Sequence, residues 1–303
     1  MKKLRIALDW TPNTNHTGFY VGVAKGWYEA AGIDLEIVPP SDLYLTGETP
    51  ARQVVNGCVN FCIAPSESAV SCWTSDAGNV RPVAVAAILQ TDTSAIVTRA
   101  DSGITSPAQL DGKIYASYQG RFEMPIVQQM IKQAGGKGVA VETAPPKLDC
   151  FDAVMRGDAD ATWVFMAWEG VIAEMKGVKL NAFDLKSSSV PYGYSPVLLA
   201  HPDMVQDESL AAFLRVTQEG FKFATEQPAE AALLLMETAQ HPSLAALGLH
   251  MLVKSQRFLS EGGHYLDGMG KWGTMDSERV KEFLDWLAAN ELLRYRDDSV
   301  VPR

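Results

Sequence analysis

The sequence predicts an α/β protein with two lobes of related topology. Strand-like and helical patterns alternate through most of the 303 residues, which is typical of largely parallel sheets with helices on both faces. The segments VVNGCVNFCIA, from Val54, and VMRGDADATWV, from Val154, each predict a helix end, a glycine cap and a buried strand. Gly57 and Gly157 lie 100 residues apart, and the segments upstream match at a nearly equal offset, so we expect the same arrangement in both lobes.

The elements of the first lobe follow from the chain in order. The strand KLRIALDW precedes a predicted helix over 17–31 that ends at Gly32. The next segments predict, in turn, the strand IDLEIVP, the helix ETPARQVVNG, the strand VNFCIA, a helix over 66–74 and the strand PVAVAAIL. In the second lobe, IYASYQGRFEMPIVQQMIKQAGG repeats the first strand, its loop and its helix.

Two segments are predicted to connect the lobes, TSAIVTRADSG (93–103) and YGYSPVLLAHPD (192–203). We therefore assign residues 1–95 and 200–303 to lobe one and residues 96–199 to lobe two. Helical periodicity after residue 203 predicts four helices, 207–225, 228–238, 243–258 and 276–292, with a glycine-rich loop, SEGGHYLDGMGKWG, before the last of them.

The charge balance excludes some classes of partner. The formal net charge is −10, and an acidic chain is a poor partner for nucleic acid, whose affinity comes from neutralised phosphates. No segment approaches the roughly 20 apolar residues that span a bilayer. The sequence does not indicate an oligomeric state.

The start of the chain, MKKLRIALDW, has a basic beginning like that of a signal peptide. Asp9 interrupts the apolar run well before the roughly 7 to 15 residues that a signal peptide needs. We therefore expect a cytoplasmic protein. The alternative is a periplasmic protein, if this is a mature chain whose natural start has been replaced.

The four cysteines, Cys58, Cys62, Cys72 and Cys150, form no CxxC motif and have no histidine at zinc spacing. Cys58 and Cys62 lie about 13 Å apart on the predicted strand, too far for a disulfide. We expect free thiols that behave as small buried hydrophobes, and we predict neither a metal nor a cofactor.

Aromatic, amide and charged side chains follow the first predicted strand of each lobe. In an open α/β sheet, ligands bind beyond the carboxyl ends of the strands. Both loops also lead into a helix, whose first N–H groups are unpaired and carry partial positive charge. We expect the loops to line a cleft between the lobes for a small, flat, polar molecule. The candidate residues are Trp10, Asn13 and His16 in the first lobe and Tyr118, Arg121 and Glu123 in the second.

Equivalent strand ends supply further candidates. Asn13 and His16 alternatively cap the following helix, and the SES segment after the third strand alternatively forms only a helix start. Asp92 is alternatively a structural acid at a hinge. The further candidates are Ser66, Glu67 and Ser68 in APSES, Asp92 in QTDTS, Trp163, Trp168 and Glu169 in WVFMAWEG, and Tyr194 in PYGYS.

Several of these segments carry a resemblance to a known family. LDWTPNTNHTGFYVGVAKGWYEAAGIDLEI, SPAQLDGKIYASY and GDADATW resemble thiamine-pyrimidine precursor-binding proteins and their fungal pyrimidine synthase relatives, over residues 4 to about 230. APSES, DTSAIVT and ATWVFMAWEG resemble a subgroup found in fungi and bacteria. The resemblance implies the two-lobed fold of type II periplasmic binding proteins, with the ligand cleft between the lobes.

The chain departs from the fungal synthase at two functional positions. That enzyme uses a lysine and a histidine where Ala64 and Ser68 stand here. It also carries a cysteine-rich run near the second crossover, where this chain has VPYGYSPVLLA. Alanine and serine cannot replace a Schiff-base amine and an imidazole nitrogen, so the resemblance does not extend to the synthase activity.

The resemblance implies a binding protein that closes two lobes around a thiamine pyrimidine precursor or a related heteroaromatic molecule. Glu169 beside Trp168 is the best candidate for recognising an aminopyrimidine, since a carboxylate accepts from an exocyclic amine while an aromatic ring covers the face. Arg121 near a helix start would favour an anion, which Glu123 would offset. If exported, the protein would pass its ligand to the permease of an ABC transporter.

Two alternatives belong to other functional classes. The first is a cytoplasmic enzyme of thiamine pyrimidine metabolism that lacks the synthase's lysine and histidine. Its acid/base groups would be carboxylates, with Glu67, Asp92, Glu123 and Glu169 as the candidates. The second is a ligand-sensing regulatory protein, for which the sequence carries no specific mark.

Overall fold

Two five-stranded sheets form the framework of the described chain, which comprises residues 1–40, 49–74, 80–146, 149–188 and 190–293 of this computed structural model. The first sheet contains β1 (Lys2–Ala7), β2 (Ile33–Val38), β3 (Phe61–Ala64), β4 (Val83–Ala87) and β10 (Val197–Ala200). The second contains β5 (Ser94–Arg99), β6 (Ile114–Ala116), β7 (Val141–Thr143), β8 (Ala161–Phe165) and β9 (Leu180–Asp184).

The two sheets have the same topology. Their strand orders are β2-β1-β3-β10-β4 and β7-β6-β8-β5-β9. In each sheet one strand, β10 or β5, runs antiparallel to both of its neighbours, and the other four strands run in a common direction. Gly57 and Gly157 occupy equivalent places before β3 and β8, both with left-handed φ angles, 70° and 85°. The predicted internal repeat of mostly parallel α/β units is therefore confirmed.

The described chain divides into two compact units, each containing one sheet. Unit one comprises Met1–Asp92 and Tyr194–Val280, and unit two comprises Thr93–Gly193 with the described residues from Lys281 onward. The predicted boundaries after residues 95 and 199 each fall inside a strand, β5 and β10 respectively. A strand belongs whole to one sheet because its hydrogen-bonded ladder is continuous, so the units change just before each of these strands.

Helices flank both sheets. Among the helices of the described residues, none combines the length and apolarity needed to cross a membrane. In unit one they are α1 (Thr17–Ala24), α2 (Trp27–Ala30), α3 (Pro50–Val55), α4 (Ser66–Trp73), α8 (Ser209–Glu226), α9 (Pro228–Ala239) and α10 (Pro242–Glu261). Unit two contains α5 (Glu123–Gln133), α6 (Cys150–Arg156) and α7 (Val171–Met175), and α11 (Ser277–Ala289) continues from unit one into unit two.

Some predicted elements were wrong in detail. The single helix predicted over 17–31 is two helices, because Gly26 adopts a left-handed φ of 68° that ends α1 and caps α2. Apolar periodicity continues across this break and hides it. The predicted helix 243–258 lies within α10, which bends at Gly248 (φ 79°, ψ 159°). Cys58 is exposed rather than buried, since it lies in the turn before β3, whereas Cys62 and Cys150 are buried and Cys72 is half-buried.

The core of unit one depends on a close approach of α1 and α8. Phe213 of α8 stacks on Phe61 of β3 with ring centroids 4.3 Å apart. Gly18 and Gly220 lie where the two helices meet, and a Cβ built on Gly220 would lie 2.0 Å from the carbonyl oxygen of Gly18. The helices can therefore pack at this distance only because both positions lack a side chain.

We expect Gly220→Ala to destabilise the protein, because its methyl group would force the backbones of α1 and α8 apart. Overpacking of this kind costs about 1–3 kcal/mol of unfolding free energy, and a clash with backbone falls at the upper end. Thermal and urea unfolding measure the change. Gly268→Ala is the matched control, since its Cβ would meet nothing within 4 Å. Equal unfolding midpoints for the two variants would contradict the packing argument.

Candidate functional site

The sequence-predicted residues of unit one converge on one edge of its sheet. Val197 at the start of β10 pairs with Ala64 and Ala87, the last residues of β3 and β4. Ala7 at the end of β1 pairs with Cys62 of β3. The loops after β1, β3 and β4 and the segment before β10 therefore share the carboxyl edge of this sheet, which brings together Trp10, Asn13, His16, Ser66, Glu67, Ser68, Asp92 and Tyr194.

The same geometry gathers the candidates of unit two. Ser94 at the start of β5 pairs with Phe165 at the end of β8, and Ala116 at the end of β6 pairs with Thr162 of β8. The loop after β6, the turn after β8 and the residue before β5 therefore lie at one edge of the second sheet. The candidates at or beside this edge are Tyr118, Arg121, Glu123, Trp163, Trp168 and Glu169.

His16 holds the first loop of unit one together. Its ring is fully buried, Nδ1 accepts from the backbone N–H of Asn13 at 3.2 Å, and Nε2 lies 2.8 Å from Oδ1 of Asp9. A backbone N–H can only donate, so Nδ1 carries no proton and Nε2 donates to the carboxylate. Both nitrogens therefore serve the loop itself.

Asn13 caps the short helical turn Thr14–His16 in the same loop. Its Oδ1 accepts from the backbone N–H of Asn15 at 2.9 Å, and its Nδ2 donates to the carbonyl of Thr11 at 3.1 Å. Asn13 therefore caps this short turn and not the following helix α1, whose N-cap residue His16 makes no side-chain capping hydrogen bond. The ligand contacts predicted for Asn13 and His16 stay predictions.

A buried polar network anchors this loop to the last helices of unit one. Oγ1 of Thr17 donates to Gln256 at 2.7 Å, and Gln256 donates to the hydroxyl of Tyr265 at 3.0 Å. The Tyr265 hydroxyl donates to the carbonyl of Thr14 at 2.7 Å, and the hydroxyls of Thr14 and Ser255 are 2.7 Å apart. This support was not predicted, because Ser255 and Gln256 lie within the polar run KSQR of α10 and look like exposed residues in the sequence.

Trp10 is the large aromatic side chain of this braced loop. Its neighbours on both sides are held, Asp9 by the His16 ring and Thr11 by the Asn13 amide. The indole itself is half-buried at the sheet edge. The backbone position of Trp10 is therefore set within the loop itself, and the ligand contact predicted for Trp10 stays a prediction.

The start of α4 supplies a second group at this edge. Ser66 donates its backbone N–H to the carbonyl of Tyr194 at 3.0 Å, which joins α4 to the segment before β10. Among the described residues, no hydrogen-bond partner reaches the buried Oγ of Ser66. Tyr194 is 4% exposed, and its hydroxyl accepts from the backbone N–H of Asp276 at 2.9 Å. Tyr194 thus packs within unit one and supports the edge, with Glu67 and Ser68 in the first turn of α4 beside it.

The glycine-rich loop between α10 and α11 holds the end of β4. Gln90 donates its backbone N–H to the carbonyl of His264 at 2.7 Å and its side-chain amide to the carbonyl of Thr274 at 3.0 Å. Its own carbonyl accepts from Arg279 at 2.8 Å. The segment leading to the half-buried Asp92 is therefore fixed by Arg279 of α11 and by a loop whose sequence predicted only a connection.

Glu123 organises the first loop of unit two. Its carboxylate accepts four hydrogen bonds, from the hydroxyls of Tyr115 (2.9 Å) and Ser117 (3.1 Å) and from the backbone N–H groups of Tyr118 and Gly120 (both 3.1 Å). Burial raises the pKa of Glu123 above its ordinary value, and these donors oppose that effect. The residue is thus a brace for the loop, and the ligand contact predicted for it stays a prediction.

Tyr118 and Arg121 lie on this braced loop. Burial raises the pKa of the Tyr118 hydroxyl, and the negative charge of nearby Glu169 raises it further. Tyr118 therefore remains a neutral hydroxyl near the Glu169 carboxylate. Arg121 is exposed, with its guanidinium 4.9 Å from the centre of the Phe122 ring.

A π-helical turn, Met166–Gly170, follows β8. Glu169 lies in this turn, and its Oε2 accepts a hydrogen bond from the backbone N–H of Phe165 at 3.0 Å. Trp168 within the turn is 6% exposed, and Trp163 in β8 packs against Tyr192 with ring centroids 5.4 Å apart. Such turns occur frequently at functional sites because they displace one residue from the regular helical ladder.

Within the described ranges, no group of three or more His, Cys, Asp or Glu side chains is arranged to hold a metal ion.

Comparisons with known proteins find a matching family and several relatives of this chain. The profile of the family described as NMT1/THI5 like matches residues 13–231. The formylaminopyrimidine-binding protein of Halalkalibacterium halodurans is 25% identical over 297 residues, which cover 97% of this chain and 87% of the relative. The 4-amino-5-hydroxymethyl-2-methylpyrimidine phosphate synthase of Legionella pneumophila is 23% identical over 249 residues, covering 78% and 73% respectively.

A solved structure shows the fold over the whole chain. The alkanesulfonate-binding protein SsuA from Xanthomonas axonopodis pv. citri, bound to MOPS, superposes with a TM-score of 0.73 at 11% identity, covering 99% of this chain and 96% of its own. The predicted periplasmic-binding-protein-like fold is confirmed. With its family profile matched over most of its length, the chain belongs to the NMT1/THI5-like family.

Proposed function

We propose that the protein binds a small heteroaromatic molecule, a thiamine pyrimidine precursor or a close relative of one. The observation that carries this proposal is the pair of internally braced loops at the carboxyl edges of the two sheets, each presenting aromatic and polar side chains, since ligands of open α/β sheets bind at such edges. The similarity to a formylaminopyrimidine-binding protein over nearly the full chain supports a pyrimidine as the ligand.

The chemistry of the loops suits an aminopyrimidine. In unit two, the Glu169 carboxylate can accept from an exocyclic amine, beside the hydroxyl of Tyr118. In unit one, the braced indole of Trp10 offers a flat surface for stacking. The loops that carry Trp10 and Tyr118 need not reorganise their backbones to present these side chains, because His16 and Glu123 already accept from donors of those loops.

The competing proposal is an enzyme of thiamine pyrimidine metabolism, which the similarity to the Legionella synthase favours. Ala64 and Ser68 argue against synthase chemistry. Ala64 is a 3% exposed strand residue and Ser68 lies in the first turn of α4, so neither provides an amine or an imidazole at this edge. We therefore place binding ahead of catalysis.

Transfer to a membrane permease is a further part of the proposal, for an exported form of the protein. The similarity in fold to the ligand-binding component of an ABC-type import system from Staphylococcus aureus, with a TM-score of 0.70, supports it. A cytoplasmic form would instead deliver the pyrimidine to an enzyme.

The proposed ligand class is tested in two steps. Native mass spectrometry of the purified protein is followed by calorimetric titration with a formylaminopyrimidine and with 4-amino-5-hydroxymethyl-2-methylpyrimidine. If the protein binds neither of these pyrimidines, the proposal is wrong.

Trp10→Ala should weaken pyrimidine binding about tenfold or more, because an aromatic contact contributes about 0.5–1.5 kcal/mol beyond the area it buries. Calorimetric titration measures the change. Trp27→Ala is the matched control: Trp27 is also half-buried, but it packs edge-on against Phe223 at the start of α2, away from the carboxyl edge. The control should lose stability and keep its affinity. Equal affinities for all three proteins would place the ligand elsewhere.

Glu169→Gln should lower the affinity for an aminopyrimidine about 10- to 100-fold, since a hydrogen bond to a charged group contributes about 1.5–3 kcal/mol. The amide oxygen of glutamine can still accept from Phe165, so the π-helical turn should persist and the melting temperature should change little. Glu174→Gln, an exposed carboxylate on α7, is the control. A large drop in melting temperature without a loss of affinity would show that Glu169 serves only the fold.

Pyridoxal phosphate should not form a stoichiometric Schiff base at the carboxyl edge of unit one, because Ala64 stands where the fungal synthase has its lysine. Incubation with pyridoxal phosphate, borohydride reduction and peptide mapping detect any adduct. Labelling of one lysine accompanied by formation of a pyrimidine would overturn the ranking of binding over catalysis.

A further inference from the structure

Thr93 has a buried hydroxyl whose hydrogen-bonding capacity is unused. The residue is 6% exposed, and Oγ1 has no hydrogen-bond partner within the described residues. The other two buried threonines described in unit two differ: Thr98 donates to the carbonyl of Ile104 at 3.2 Å, and Thr162 donates to that of Ala116 at 2.7 Å. Buried polar side chains are normally hydrogen-bonded, so Thr93 is an exception that requires an explanation.

The position of Thr93 connects it to the candidate site. Its carbonyl accepts the backbone N–H of Met166, the first residue of the π-helical turn, at 2.8 Å. The next residue, Ser94, pairs with Phe165, whose N–H is in turn bound by the Glu169 carboxylate at 3.0 Å. Thr93 is therefore held by Met166 and Glu169 by Phe165, two adjacent residues where β8 passes into the turn at the edge of unit two.

We propose that Thr93 is a specificity-determining residue: its hydroxyl donates a hydrogen bond to a ring nitrogen of the ligand, while the Glu169 carboxylate accepts one from the adjacent amine. This inference rests on the proposed function and narrows it to heteroaromatic ligands that carry an amine beside a ring nitrogen. Such an edge presents one donor next to one acceptor. A carboxylate, which can only accept, and a hydroxyl, which can donate, match that pair.

The proposal also explains why an unsatisfied hydroxyl is tolerated. In the absence of ligand, a buried donor without a partner reduces stability, and a ligand atom that satisfies it recovers that loss on binding. A pyrimidine edge is then preferred over a purely apolar ring of the same shape, because the apolar ring would leave the hydroxyl unsatisfied.

Thr93→Val is the principal test, since it replaces the hydroxyl with a methyl group of similar size. The ligand-free variant should be as stable as the wild type or more stable, because no hydrogen bond is lost. Its affinity for 4-amino-5-hydroxymethyl-2-methylpyrimidine should fall about three- to tenfold. Thr93→Ser keeps the hydroxyl and should retain affinity. Thr98→Val, in strand β5 that follows Thr93, loses a hydrogen bond to Ile104 and should show the opposite result: lower stability with unchanged affinity.

A second probe tests which ligand atom is recognised. In the corresponding aminopyridine, a CH group replaces the ring nitrogen beside the amine. Wild type should bind this analogue more weakly than the pyrimidine, whereas Thr93→Val should bind the two molecules with nearly equal affinity. The protein variant and the ligand change together form a double-mutant cycle, which isolates the contact from other effects.

The outcomes separate this inference from the proposed function. If wild type binds the pyrimidine and Thr93→Val binds it equally well, the inference is overturned and the proposed function stands. If Thr93→Val loses stability as Thr98→Val does, Oγ1 has a structural partner and the inference is also overturned. If wild type binds no pyrimidine, the proposed function fails and the assignment of Thr93 fails with it.

Discussion

The candidate site depends on one constraint: the polar groups of a loop that leaves a buried strand must be satisfied inside the loop. In unit two a single carboxylate, Glu123, meets this requirement by accepting four hydrogen bonds. In unit one the His16 ring does so by accepting from Asn13 and donating to Asp9. Once the backbone is satisfied in this way, side chains such as Trp10 and Tyr118 are positioned without depending on a ligand for their order.

The two braces differ in chemistry although they occupy equivalent places after the first strand of each sheet. A neutral imidazole both accepts and donates, so it bridges two parts of its loop. A carboxylate only accepts, so Glu123 draws several donors of its loop around one point. The burial that this requires raises the pKa of Glu123. Unit one therefore gains an anchored aromatic loop. Unit two gains an edge where carboxylate and hydroxyl groups lie close together, and polar recognition of a pyrimidine belongs there in our proposal.

Much of the fold was predictable because it follows from local pattern. Alternating apolar runs located the strands, and the glycines at 57 and 157 revealed the repeat because both must adopt a left-handed φ. The break at Gly26 escaped prediction, since its neighbours keep a helical apolar pattern. For the site, strand ends indicated the right loops. Cap preferences suggested a local role for Asn13 and His16, but nothing in the sequence indicated that Glu123 accepts four hydrogen bonds within its own loop, because those contacts depend on distances in the folded chain.

The amino-acid sequence by itself determined which segments form strands and helices, that the arrangement occurs twice, and that polar and aromatic residues follow the strands. These are properties of residue type and short-range order. Only the tertiary structure decided which side chains brace a loop and which remain available. The Tyr265–Gln256–Thr14 network joins residues more than 230 positions apart, and the unused hydroxyl of Thr93 is defined by the partners it lacks among the described residues. Both are facts of three-dimensional packing, because a hydrogen bond is settled by distance and direction in the folded chain.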